Sequence, residues 1–168
     1  MEALTKSFYF FVLLGPLLEE VLFRLWLVYN KINVSITIAY LILWINGLIF
    51  HIHWFYTTKL VIYFILLFIF LFTLFFFLLK KYEGEKLINF WRKNQKIFII
   101  ISCFLFGALH IGNYAVTSNL IMYSFITFAP QIFSGFILCY LRVRLGFEAG
   151  FVAHSVNNFI PFIISKII

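Results

Sequence analysis

Apolar residues run along this chain in long blocks, and most of the charged residues fall between the blocks. Runs of about 20 apolar residues match a helix that crosses the hydrocarbon core of a bilayer. They predict six spans, at about Phe8 to Tyr29, Val34 to Phe55, Leu60 to Leu79, Ile97 to Val116, Asn119 to Leu141 and Leu145 to Ser165. A spanning backbone must satisfy its own hydrogen bonds, and the alternation of a barrel strand is absent, so the expected fold is all-α, a polytopic transmembrane bundle of about six spans. Residues 1–168 are expected to form a single integral membrane domain, with one sizeable connection, a basic loop at about 80–96. In that loop Leu87, Ile88, Phe90 and Trp91 lie among basic residues, which suits a helix in the headgroup layer or a solvated connector equally.

Composition strengthens this reading. The chain is 64% hydrophobic and 11% charged, with a mean hydropathy of +1.05, so the bilayer is its expected solvent and partner. Its net charge of +7 does not form a basic stripe for a phosphate backbone to follow, which argues against a nucleic-acid partner. With alternating sides, Lys31, Lys80, Lys81, Lys86, Arg92, Lys93, Lys96, Arg142 and Arg144 share one face of the membrane, against Lys6, Lys59 and Lys166 on the other. The positive-inside bias then puts the basic loops in the cytoplasm and both termini outside, and the expected location is the bacterial inner (plasma) membrane. Lys6 precedes the first run with no small-residue cleavage site after it, so that run reads as a retained helix. Cys103 and Cys139 lie in apolar runs and read as small hydrophobes, while Trp26, Trp44 and Trp54 read as lipid-facing or interfacial aromatics.

The chemistry resides in side chains that are costly to keep in a membrane, at about 2.5–3.5 kcal/mol each near its centre. Glu19, Glu20, Arg24, His110 and His154 are of this kind. Glu20 and Arg24 stand four apart on a helix and can neutralise each other, whereas Glu19 is rotated away without such a partner and faces the interior as a general base. The same three residues also fit a purely structural clamp. His110 ends the turn Phe106-Gly107-Ala108-Leu109-His110, whose small residues admit a neighbouring helix closely. Counting from Ile97, it falls nearer the outer surface than Glu19 and His154. His154 and Asn158 share a helical face and present donors toward one cavity, with Asn157 pointing elsewhere. His51 and His53 read as interfacial and structural. A zinc site from Glu19 or Glu20 with His110 and His154 is the weaker alternative, since no local ligand spacing supports it.

In order, Glu19-Glu20-Val21-Leu22-Phe23-Arg24, Phe106 to His110, and His154-Ser155-Val156-Asn157-Asn158 resemble the motifs of the CPBP family, the CAAX-protease and bacteriocin-processing or Abi family of intramembrane endopeptidases. The resemblance implies that Glu19 activates the attacking water with help from His110, and that His154 and Asn158 stabilise the oxyanion. Glu20 then belongs to the catalytic set, held by Arg24, with Phe106 in support. The implied substrate is a prenylated or hydrophobic peptide, and no cofactor is required. The stretch between the first two motifs is longer than the family's usual pattern, with the second and third spans inserted. An even number of extra helices preserves the orientation of the motif helices. Two other classes fit the same polar cluster: a noncatalytic scaffold or bacteriocin-immunity protein, and an ion- or proton-coupled transporter. Oligomeric state is not encoded in any feature of the sequence.

Overall fold

The computed structural model describes residues 8–110 and 120–167, and for 120–127 and 165–167 the backbone alone. The described residues form six α-helices and no strand: α1 (Gly15–Phe23), α2 (Lys31–Ile49), α3 (Thr58–Tyr82), α4 (Glu85–Leu109), α5 (Leu120–Arg144) and α6 (Phe147–Ile167). A π-helical turn, Tyr9–Leu14, leads into α1, and a 3-10 turn, Leu25–Leu27, follows it. The first predicted span is therefore three short pieces. Pro16 in the first turn of α1 has no N–H to continue the preceding helical register, and Arg24 leaves helical geometry at φ −128°.

The chain divides into two compact units, one of Met1–Leu27 with Asn94–Ile168, the other of Val28–Lys93. The second unit occupies the stretch that sequence marks as an insertion between the first two motifs. It is built on the α2–α3 hairpin. Asn30 caps α2 by accepting from the Ile32 N–H at 2.9 Å, and Thr57 caps α3 by accepting from Leu60 at 3.3 Å. α2 ends with His51 in the left-handed region, φ 51°, while the Ile52 N–H reaches back to the Gly47 carbonyl at 2.9 Å. That is a helix-terminating motif and gives His51 a backbone role. Lys31 pairs with Glu83 at 2.7 Å, and Phe64 of α3 packs against Tyr40, Trp54 and Phe55.

Among the described residues, α2 and α3 are long and apolar enough to cross a membrane. The other helices carry polar residues that lower their hydropathy: Lys86, Arg92, Lys93 and Lys96 in α4, and His154, Asn157 and Asn158 in α6. The segment 80–96, expected as a loop, is helical except for a break at Glu83 and Gly84. Apolar Leu87, Ile88 and Trp91 recur at helical spacing there, and Glu85 favours a helix start. The predicted end of the fourth span beyond His110, the start of the fifth at Asn119, Lys6 and the Lys166 side chain fall outside the described residues.

In the first unit, the segment from the π turn to Leu27 packs with α6 and α5, and the later turns of α4 join it. Ser102 donates to the Phe23 carbonyl at 2.7 Å, Gln95 to the Leu27 carbonyl at 3.1 Å, and Trp26 meets Phe98. Cys103 and Cys139 are both fully buried, as small apolar residues would be, with their sulfurs 3.6 Å apart and unbridged. Gly107 gives the close approach anticipated from its motif, since a Cβ there would lie 2.6 Å from Ile132 Cγ1 on α5.

Candidate active site

Every candidate site residue lies in the first unit. Glu20 and Arg24 meet one helical turn apart, Oε1 to Nη1 at 2.7 Å, both with no exposed side-chain surface. A buried pair of this quality is kept only when further groups satisfy it. One is His154 of α6, whose Nδ1 lies 2.8 Å from the same Glu20 oxygen. Another is the Phe106 ring, with the Arg24 guanidinium carbon 4.1 Å from its centroid. That ring also contacts Phe23, His110 and His154 at centroid distances of 5.6, 4.5 and 5.6 Å, so Phe106 fixes the three motifs against one another. Glu20 Oε2 has no hydrogen-bond partner and lies 3.1 Å from where a Cβ on Gly150 would stand. Only glycine fits there without displacing the carboxylate.

Glu19 is rotated away from this pair, as one residue's advance along a helix requires. Its side chain is 34% exposed, but Oε2 is buried and accepts no hydrogen bond. The expectation of an unpaired carboxylate is refined by two imidazoles: His154 Nε2 stands 3.4 Å from Oε2 and His110 Nε2 stands 3.9 Å from it. His110 directly follows α4, and its Nδ1 lies 2.7 Å from the Phe106 carbonyl. A carbonyl oxygen only accepts, so Nδ1 is the protonated nitrogen and, in the neutral ring, Nε2 turns an acceptor toward Glu19. Counting from Ile97 put His110 away from the other two. The helix instead begins at Glu85, and the elements are offset so that His110 meets Glu19.

These groups line a cavity of about 390 Å³. Glu19, His110, His154 and Asn158 are in its wall, and so is Asn157, which the sequence reading had pointing elsewhere. The cavity is wide enough for adjacent positions of α6 to reach it. Asn158 Nδ2 donates to the Phe11 carbonyl at 3.1 Å, so one of its two amide hydrogens is committed. Phe10, Phe11, Gly15, Gln131 and Pro161 complete the wall and were missed. Gln131 was detectable, being an amide set beside Pro130 in an apolar run. Arg142 was also missed. It was read as a loop charge, yet it is buried and donates from Nε to the Arg24 carbonyl at 3.2 Å and from Nη2 to the Leu25 carbonyl at 2.9 Å. A cation is thereby seated on the carboxyl end of α1, where the helix leaves carbonyls unpaired. His51 and His53 belong to the other unit. Among the described residues, no group of three or more His, Cys, Asp and Glu side chains is arranged to hold a metal ion.

The family model for type II CAAX prenyl endopeptidases, Rce1-like, matches residues 77–160, half of the chain. The chain belongs to the Rce1-like family. This is a family of membrane-embedded proteases, so the Rce1-like match agrees with the resemblance carried by the three motifs. Its range contains Phe106, His110, His154 and Asn158, while Glu19, Glu20 and Arg24 precede it. The geometry joins residues inside the matched range to residues before it, because Glu20 binds His154 and Glu19 faces both histidines. No curated protein and no solved structure matches the chain.

Proposed function

We propose that the chain is an intramembrane endopeptidase that hydrolyses a peptide bond in a prenylated or hydrophobic peptide, with water as nucleophile and no cofactor. The observation that carries this reading is the buried Glu19 Oε2, which accepts no hydrogen bond and is set 3.4 and 3.9 Å from two imidazole nitrogens at a cavity wall. A water held there donates one hydrogen to Glu19 and the other to His110 Nε2, which the Phe106 carbonyl keeps as an acceptor. Glu19 takes the proton as the water oxygen attacks the carbonyl carbon. It then returns that proton to the leaving amine.

The tetrahedral intermediate carries negative charge, and preorganised donors aimed at that charge supply much of the acceleration. His154 and the free amide hydrogen of Asn158 take this role. Nδ1 of His154 is engaged with Glu20, which leaves Nε2 as the ring nitrogen that turns toward the oxyanion. Glu20 orients His154, and Arg24 and Phe106 hold Glu20. The chain is embedded in the bacterial inner (plasma) membrane with the basic segments on the cytoplasmic side.

The test is cleavage of a prenylated C-terminal peptide by the full chain in liposomes. His110→Ala and His154→Ala each lose at least about a hundredfold in kcat, the range of general acid–base and oxyanion contributions, while the protein stays folded. Wild-type rates in both variants would end the proposal.

A further inference from the structure

The hydrogen bond between Asn158 and Phe11 has an origin in the backbone. In the π turn the Gly15 N–H reaches back five residues to the Phe10 carbonyl. Gly15 is thus withheld from Phe11, its partner in α-helical register. The next residue, which would serve Phe11 in π register, is Pro16, and proline has no N–H. The Phe11 carbonyl is orphaned twice over and is left open to a donor from elsewhere in the fold. Asn158 Nδ2 supplies it at 3.1 Å from α6. Gly15 also belongs to this device, since a Cβ there would lie 3.0 Å from the Phe10 oxygen.

We propose that Pro16 is a positioning residue that acts through Asn158. By withholding an N–H, it leaves the Phe11 carbonyl to fix the Asn158 side-chain amide. The two amide hydrogens lie in one plane at a set angle, so anchoring one aims the other. Phe11, Gly15, Glu19 and Asn158 all line the same cavity, and the latch therefore sets the aimed hydrogen relative to Glu19. A free Asn158 would rotate about its own bonds and present the second hydrogen only part of the time. This inference rests on the endopeptidase reading for its kinetic consequence, but the latch itself is a structural fact open to separate measurement.

Pro16→Ala restores an N–H that competes for the Phe11 carbonyl. It lowers kcat for the prenylated peptide about tenfold, or ~1.4 kcal/mol, with KM unchanged. On the residual activity of Asn158→Ala, the same substitution has less than about a twofold effect, because residues acting through one contact are not additive. An equal loss in both backgrounds overturns the proposal, since a merely structural proline would give that result. The latch is read independently by NMR of the full chain in nanodiscs, with carbonyl-labelled phenylalanine and nitrogen-labelled valine. Only the junctions Phe11-Val12 and Phe151-Val152 respond, and Phe11→Leu assigns them. Asn158→Ala moves the Phe11 carbonyl resonance; an unmoved resonance overturns the latch even if Pro16→Ala does not fold. A wild-type chain that cleaves no peptide overturns the endopeptidase reading and, with it, the role assigned to Pro16, whatever the resonance does.

Discussion

His154 Nδ1 sits 2.8 Å from Glu20 Oε1, the oxygen that Arg24 already holds at 2.7 Å. One carboxylate oxygen thereby joins the first motif to the last across 134 residues of chain. Glu20→Gln keeps the shape but gives His154 a weaker and ambiguous partner. It is expected to lower kcat about a hundredfold, ~2.7 kcal/mol, and to cost less stability than loss of the whole side chain, because its amide oxygen still accepts from Arg24. Glu20→Ala instead leaves Arg24 buried and unpaired, at a cost of about 3–5 kcal/mol. Activity and thermal unfolding of the two variants in detergent check the separation.

Arg142 extends the argument to the other end of α1. Its two bonds to the Arg24 and Leu25 carbonyls are charge-assisted, and losing such bonds while the carbonyls stay buried costs about 1.5–3 kcal/mol each. Arg142→Ala should lower the unfolding temperature and the activity together, because α1 carries Glu19 and Glu20. Arg142→Lys, with a point charge in place of the fork, should fall between. Thermal scans paired with rates decide whether the order wild type, Lys, Ala holds.

Much of this was legible in the sequence, and what was not has identifiable causes. The helical class followed from the apolar runs, and the Glu20–Arg24 pair from i,i+4 spacing. Convergence of Glu19, His110 and His154 was anticipated only through motif order, because spacing along one helix carries no information about another. The break in the first span was missed, since hydropathy does not register a proline's missing N–H. Arg142 was misread because a charge at the end of an apolar run looks the same whether it meets water or caps a neighbouring helix. The helix at 85–96 was an open alternative: its apolar spacing was visible, but its basic residues suited a connector equally well.

The site as proposed works without a metal. Incubation with a strong zinc chelator, followed by removal of the chelator, is expected to leave the rate of peptide cleavage unchanged. Loss of activity restored by added zinc would transfer Glu19, His110 and His154 to the role of ligands.

The central claim is that the Glu19 carboxylate does the chemistry. Its most direct test is Glu19→Gln in liposomes with a prenylated peptide, scored by mass spectrometry of the products. The isosteric amide removes the base and leaves Glu20, Arg24 and His154 in place. The account predicts a loss of at least about a thousandfold in kcat with unfolding within about 1 kcal/mol of wild type. Undiminished cleavage by that variant would contradict it, and so would a variant that loses activity only because the fold is lost.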